Sequence, residues 1–408
     1  MPEAFLIGGA RTPVGRYGGA LSSVRPDDLA ALTVRAAVER AGIDPAAVDE
    51  VILGNANGAG EENRNVARMA WLLAGFPDTV PGITVNRLCA SGLSAIIMAS
   101  HMVKAGAADI VVAGGVESMS RAPWVMEKPA TAFAKPGALF DTSIGWQFPN
   151  PAFKSGNLSR DGKATYSMPE TAEELARVYN ISRDDADAFA VRSHERALAA
   201  IDAGHFSNEI LPVTVRGRKG TETIVDTDEG PRPGTTAEVL AGLRPVVNGG
   251  TVVTAGNSST LNDGASAIIV ASEAAVQKYG LTPRARILDG ASAGVAQEIM
   301  GIGPVPATRK VLDRTGLAVG DLAAVELNEA FASQALACMR ELKLEPGIVN
   351  NDGGAIALGH PLGSSGSRLV ITILGRLDRE TTPGARKLGL ATMCVGVGQG
   401  TALLLEGI

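Results

Sequence analysis

The chain has 408 residues, 45% of them apolar, 20% charged and 4% aromatic, with 37 basic against 43 acidic residues for a net charge of −6. That apolar share can bury a core that offsets ordering entropy, which excludes a disordered chain, and the acidic balance removes any global electrostatic case for nucleic acid. Glycine contributes 49 residues, well above the usual share of about 7% and without collagen's period of three, and the length allows two or three domains of roughly 100–200 residues.

Short apolar runs alternate with amphipathic stretches along the chain, the pattern of a layered α/β protein. Strands are expected at 4–7, 50–53, 110–113, 266–270, 323–327 and 388–393. A helix is expected over 27–40, with Pro26 and the acidic pair Asp27 and Asp28 suiting its first turn and Gly42 following its end. The start, Met1-Pro2-Glu3, lacks the basic n-region of a signal peptide. No window approaches the roughly 20 apolar residues of a membrane span. A cytoplasmic protein without a membrane partner is expected.

The chain repeats itself. Gly42-Ile43 leads into Val48, Val51, Leu53 and Ala56, and Gly316-Leu317 leads into Leu322, Val325, Leu327 and Ala330, an offset of 274. At the same offset Ser91-Gly92 falls on Ser365-Gly366. Two agreeing stretches point to duplicated halves. Between them, from about Arg121 to Gly250, lies sequence of another kind. It opens with prolines (Pro123, Pro129, Pro136, Pro149, Pro151) and carries a charged helix over 183–203. A hairpin follows over 213–218 and 221–226, turning at Lys219-Gly220. Lys154, Arg160, Lys163, Arg216, Arg218, Lys219 and Arg232 make this insertion locally basic. Solvated loop charge is the plainer reading; a lid over a phosphorylated ligand is the functional one.

Three places set reactive residues among glycines. Cys89 stands in Asn86-Arg87-Leu88-Cys89-Ala90-Ser91-Gly92, ahead of a helical run over 93–104. At such a junction the helix N-terminus stabilises a thiolate and lowers its pKa, and its N–H groups can hold an oxyanion. A buried structural cysteine is the alternative. His360 lies in the run from Gly353 to Gly366, where glycine and Pro361 can aim the imidazole; no Walker lysine follows to favour a phosphate loop. Cys394 opens Cys-Val-Gly-Val-Gly-Gln-Gly after an apolar run. The glycine spacing is wrong for a dinucleotide fingerprint, so a second reactive thiol reads better. Cys338 reads as core, and His101, His194 and His205 as structural. Three widely spaced cysteines argue against a disulfide framework, and no ligand spacing suggests zinc. Together these signals favour acyl transfer through a thioester.

At these residues the sequence resembles the thiolase family nearly end to end. The resemblance runs through the stretch from Ala10 to Gly15, Asn86 to Gly92, and Gly114 to Ser120. It continues through Thr254 to Ser259, Asn328 to Phe331, Gly353 to Gly366, and Cys394 to Gly400. It implies two similar βαβαβαββ halves in an αβαβα layered sandwich with an inserted loop domain. The halves would be 1–120 with 251–278, carrying Cys89, and 279–408, carrying Asn328, His360 and Cys394. The insertion, 121–250, would serve CoA binding and oligomer contacts.

The resemblance also implies roles. Cys89 would be the nucleophile that becomes acylated, and His360 would take its proton and help hold the second substrate's thioester oxygen. Asn328 would position a water in that oxyanion site, and Cys394 would exchange a proton with the substrate α-carbon. Backbone N–H groups of Cys89 and Gly396 would form a second oxyanion hole. Ser259 would contact pantetheine with Ala255 and Phe331 nearby, Met168 and Met300 would line the acyl region, and Arg232 would lie near the nucleotide. CoA and acyl-CoA would be substrates, with no tightly bound cofactor or metal, and the assembly a homotetramer built from dimers.

Two departures stand out: Thr260 follows Ser259 where many members have glycine, and Val397 replaces the middle glycine of the family's Cys-x-Gly-Gly-Gly. Val397, the stretch from Gly60 to Pro77, Asp141 to Trp146 and Met168 to Thr171 are similar to the 3-oxoadipyl-CoA branch. That branch implies thiolysis to succinyl-CoA and acetyl-CoA. The dicarboxylic chain calls for a cationic partner, for which Arg64 and Arg68 are named. The rivals are an acetoacetyl-CoA or broad-range 3-ketoacyl-CoA thiolase, a non-catalytic acyl-CoA binding protein, and a decarboxylating ketoacyl synthase. The second reactive cysteine, Cys394, disfavours the last.

Overall fold

The structure is a computed structural model that describes residues 2–154, 165–380 and 386–408. In the first half, β1 (Ala4–Arg11), β2 (Gly15–Arg16), α1 (Pro26–Ala41), β3 (Glu50–Gly54), α2 (Val66–Leu73), β4 (Gly82–Val85), α3 (Ser91–Lys104) and β5 (Ile110–Ser118) follow one another. A long excursion comes next: β6 (Trp124–Met126), β7 (Leu139–Asp141), α4 (Met168–Val178), α5 (Arg183–Asp202), β8 (Val213–Arg216), β9 (Glu222–Val225) and α6 (Ala237–Ala241). The chain then returns through β10 (Asn262–Ser272) and α7 (Glu273–Tyr279). The second half is β11 (Ala285–Gly294), α8 (Pro304–Thr315), β12 (Ala324–Leu327), α9 (Ala332–Leu342), α10 (Ala355–Leu358), α11 (Leu362–Glu380), β13 (Leu388–Val395) and β14 (Gln399–Gly407).

The duplication is visible in detail. α1 begins with Pro26 and ends on Gly42 at φ +67, a left-handed cap whose N–H reaches the last carbonyls; α8 begins with Pro304 and ends on Gly316, also at φ +67. Each is followed by a single 3-10 turn, Pro45–Ala47 and Val319–Asp321, and then by a parallel strand. In the first half β4, β3 and β5 run parallel and β10 and β1 antiparallel; in the second, β12 and β13 run parallel and β14 and β11 antiparallel. Three antiparallel pairs, from Ala4 with Ile287 to Leu6 with Ala285, join the halves into one ten-stranded sheet.

Three apolar cores separate the layers. Residues of α1 and α2 cover the outer face of the first half, α8 and α9 that of the second, and α3 and α11 pack together between the two. Sandwiched strands therefore bury both faces: every residue of β5 and β10 is buried. β5 extends well past the expected 110–113 because its glycines are needed for close approach. A Cβ on Gly114 would sit 2.1 Å from the Ser266 carbonyl oxygen, and one on Gly115 1.9 Å from that of Gly363. The insertion is fastened to the first half by Arg11, which bonds Glu209 and both oxygens of Asp228 in full burial.

The parallel strands β3 and β5, and β12 and β13, end at one rim, where α3 and α11 begin. That placement follows the rule that sites form beyond the carboxyl ends of parallel strands.

Candidate active site

Cys89 sits in the 3-10 turn Leu88–Ala90 that leads into α3. Leu88 adopts φ +47, a left-handed conformation costing roughly 1–2 kcal/mol for an L-residue. Asn86 Oδ1 accepts the Leu88 N–H at 2.8 Å, and Ser91 Oγ accepts that of Arg87 and donates to the Leu88 carbonyl at 2.7 Å. These bonds hold the bend that lifts the cysteine off the helix. The backbone N–H groups of Gly396 and of Cys89 itself favour the thiolate. The expected acidic thiol is corrected here: burial outweighs both amides and pushes the Cys89 thiol up to about 11. Nucleophilicity then requires a base.

His360 is held between α10 and α11. Gly359 takes φ +108, and a Cβ there would lie 2.5 Å from the Asn262 side chain. Asn262 Oδ1 instead accepts the His360 N–H at 2.9 Å. On the ring, Nδ1 is 2.6 Å from Ser365 Oγ, whose hydroxyl proton is given to the Pro361 carbonyl. Ser365 then accepts, which places the ring proton on Nδ1 and leaves the Nε2 lone pair facing Asn328 Nδ2. Burial, aided by the charge of Arg368, lowers the His360 pKa to about 3. The imidazole is a neutral base in waiting. Asn328, fully buried after β12, brings its Nδ2 within 3.4 Å of Nε2, and its Oδ1 has no partner among the described residues. Below the loop, Glu329 accepts from Ser193 Oγ, Asn350 Nδ2 and the Ile356 N–H.

Cys394 lies near the end of β13, buried, and its pKa stands well above the ordinary thiol value through burial and then the neighbouring Cys89 sulfur. The hairpin to β14 turns through Val397 at φ +62 and Gly398 at φ +80. The position where many thiolases carry glycine thus has the backbone that favours glycine, and Val397 holds it at a cost.

These groups open on one cleft of about 890 Å³. Cys89, His360, Cys394, Gly396, Ser259, Ala255, Met168, Met300 and Phe331 all line it. Asn328 stands behind His360 rather than on the wall. Arg232 does not line it; the residue is exposed and its N–H donates to His194 Nδ1. Arg64 and Arg68 do not line it either, and Arg68 is spent on the carbonyls of Asp78 and Val80. Arg160 and Lys163 lie outside the described residues, as do the side chains of Lys154 and Arg218. Among the described lining residues there is no lysine or arginine; Asn57, Thr142, Ser143 and Gln147 are neutral polar groups on its walls. His194 and His205 are structural, His205 pairing with Asp352, and Cys338 is core, donating to the Gly301 carbonyl. Among the described residues no set of three or more His, Cys, Asp or Glu side chains could hold a metal.

Sequence reasoning gave no role to Ser365, Asn262, Trp146 or Glu117. Trp146 and Leu88 both pack against Gly396, where an added Cβ would lie 3.1 Å from the Trp146 ring and 3.2 Å from the Leu88 side chain. The only available signal was that these residues stand inside or beside the glycine-rich stretches. Chemically, the site offers two thiols, one neutral imidazole and converging amides, the equipment for covalent acyl transfer with a separate acid/base.

Comparison with known proteins agrees with that equipment. A family model described as "Thiolase, N-terminal domain" matches residues 4–274, and one described as "Thiolase, C-terminal domain" matches residues 281–407. The chain is 57% identical over 409 residues to the beta-ketoadipyl-CoA thiolase of Pseudomonas aeruginosa, covering 100% of this chain and 99% of that one. It is 53% identical to the 3-oxoadipyl-CoA/3-oxo-5,6-dehydrosuberyl-CoA thiolase of Escherichia coli strain K12, over the full length of both. Among solved structures, the Bacillus anthracis acetyl-CoA acetyltransferase superposes with a TM-score of 0.91 at 40% identity, covering 100% of this chain and 99% of that one.

Proposed function

The chain belongs to the thiolase family, and from that premise we propose that it cleaves 3-oxoadipyl-CoA with CoA to give succinyl-CoA and acetyl-CoA. The carrying observation is the convergence of Cys89, Cys394 and the Nε2 side of His360 on one cleft. On this reading His360 Nε2 takes the Cys89 proton and the sulfur attacks the 3-keto carbon. The C2–C3 bond breaks, and Cys394 protonates the departing acetyl-CoA carbanion. The acyl group stays on Cys89, its oxygen facing the N–H groups of Cys89 and Gly396, until a second CoA thiol removes it. Ping-pong kinetics follow. The unpartnered Asn328 Oδ1 suits a water whose remaining proton is donated to the thioester oxygen beside His360. In the condensing direction Cys394 abstracts the α-proton, and hydrogen bonds to the enolate oxygen lower that barrier.

CoA is the substrate that enters past Ser259 and Ala255, with Met168, Met300 and Phe331 around the acyl end and Arg232 toward the nucleotide. The residues 1–120 with 251–278 and 279–408 are proposed as the two halves and 121–250 as the inserted loop domain. The hairpin of β6 and β7 and the segment after it support a homotetramer, because they leave Trp124, Phe133, Leu139 and Phe148 exposed in a chain poor in rings. Three free thiols suit a cytoplasmic location.

The substrate is supported by the names and identities of the relatives. The deciding experiment compares kcat/KM for thiolysis of 3-oxoadipyl-CoA and acetoacetyl-CoA. The dicarboxylic substrate is expected to win, and equal values or the reverse order would refute the dicarboxylate reading.

A further inference from the structure

The two amides that would hold the acyl oxygen, those of Cys89 and Gly396, come from turns far apart in the chain, and both turns are strained. Leu88, just before Cys89, takes φ +47, and Val397, just after Gly396, takes φ +62. Such a conformation persists only where surrounding contacts over-determine it. The turns meet at Gly396, which packs against the Leu88 side chain. One side chain spans them. Arg87 Nε donates to Ser94 Oγ in the first turn of α3 at 2.9 Å, and Nη1 donates to Gln399 Oε1 at 3.3 Å. A guanidinium can only donate, so the Gln399 amide presents its oxygen. Both ends of this clasp are anchored. Ser94 is buried, and the Arg87 N–H is fixed on Ser91 Oγ at 2.8 Å. The Gln399 backbone lies in register with Val395 and Gly294, and a Cβ on Gly303 would sit 2.1 Å from its carbonyl oxygen. Neither Arg87 nor Gln399 lines the cleft.

We propose that Arg87 is a positioning residue for the acyl oxygen's binding site: through Gln399 it sets the separation of the Cys89 and Gly396 amides. The proposal rests on Cys89 being the nucleophile and on those two amides receiving its acyl oxygen. Donors stabilise an oxyanion most when they are already aimed at its position and need no reorganisation during the reaction. Here the two donors belong to separate turns, each able to relax out of a costly backbone conformation. The clasp opposes that relaxation, and its charged donor makes it stronger than a bond between two neutral groups. Because both side chains stand outside the cleft, cutting the clasp removes no contact with the substrate.

The test is Gln399→Leu, which cuts the clasp and leaves every charge in place. Two reactions of the same sulfur are compared: single-turnover acylation by acetyl-CoA, which develops an oxyanion, and alkylation by iodoacetamide, which does not. Acylation is expected to fall about tenfold, less than the about 100-fold that follows outright loss of an oxyanion donor, while alkylation stays within twofold of wild type. A change in the burial or acidity of the thiol would slow both reactions together, and that result overturns the proposal. The second readout is the infrared carbonyl band of protein acetylated from ¹³C-labelled acetyl-CoA. In Gln399→Leu the band is expected to move up toward that of a free thioester, and an unmoved band overturns the proposal. In an Arg87→Met background, Gln399→Leu is expected to change acylation by less than twofold, since its partner is already gone; a further tenfold loss overturns the proposal. Should Gln399→Leu fail to fold, Arg87→Met is read on the carbonyl band. A wild type that forms no acyl-Cys89 species would instead overturn the nucleophile reading, and a wild-type band at the free-thioester position would overturn the pair of amides.

Discussion

Replacing Ser365 with alanine tests the tautomer on which the proposed chemistry depends. Ser365 Oγ is the acceptor for His360 Nδ1 at 2.6 Å, and its own proton is committed to the Pro361 carbonyl. Without it the Nδ1–H is buried and unpaired, a loss of about 1–3 kcal/mol. The ring escapes by moving its proton to Nε2, where Asn328 and the cleft lie, and in that form it cannot accept the Cys89 proton. The penalty then emerges as a tautomer bias. At 1.36 kcal/mol per factor of ten, about 2 kcal/mol leaves roughly one ring in thirty productive. We expect the single-turnover rate of Cys89 acylation to fall about 30-fold, while stability drops by no more than the about 2 kcal/mol of the two lost hydrogen bonds, to His360 Nδ1 and to the Pro361 carbonyl. Stopped-flow acylation and ¹⁵N spectra of the imidazole check both halves of the argument. Acylation within twofold of wild type, or a wild-type ring carrying its proton on Nε2, would refute it.

Other consequences follow from the same geometry. Cys89→Ala should show no acylated protein by mass spectrometry after acetyl-CoA treatment; an acylated mutant would sink the nucleophile assignment. Cys394→Ala should still acylate yet lose deuterium exchange at the acetyl-CoA methyl group, and retained exchange would contradict its role. In Gly354→Ala the new Cβ meets the Glu329 carboxyl at 2.1–2.4 Å, and three hydrogen bonds hold that carboxyl in place. Denaturant unfolding should show a loss of about 3 kcal/mol, and a loss under about 0.5 kcal/mol would mean the loop yields freely. Glu117 is raised to about 7 in the fold from 4.5, so the fold binds more protons than the unfolded chain between those values. Its contribution is fully present below pH 4.5 and lost as pH rises through 7. Glu117→Gln should therefore flatten the stability profile over that range, and an unchanged slope would argue against the assignment.

Much of the fold could be read without coordinates. The six predicted strands and the helix over 27–40 match observed elements because burial between helix layers makes those strands uniformly apolar. The repeat at an offset of 274 matches the left-handed caps at Gly42 and Gly316. Six strands were missed for physical reasons: β2, β6 and β7 are only two or three residues long. β4 is short and only half-buried, and β11 and β14 are rich in small or glycine residues that weaken any period of two. The length of β5 was underestimated because glycine inside a strand reads as a stop, whereas here Gly114 and Gly115 admit neighbouring backbones.

The sequence by itself determined the class of chemistry. A cysteine, a histidine and a second cysteine among glycines, in that order, left acyl transfer as the favoured reading, because only small residues let backbone N–H groups approach a reacting sulfur. What only the tertiary structure decided is the state of those groups. A helix N-terminus predicts an acidic Cys89, yet burial by residues far away in the chain pushes it up to about 11. The tautomer of His360 depends on Ser365 and Pro361, and the posture of its loop on Asn262 and Glu329, at separations of up to 98 residues. Local sequence names the reactive atoms. Desolvation and hydrogen bonds from distant segments set their protonation, and those are properties of packing.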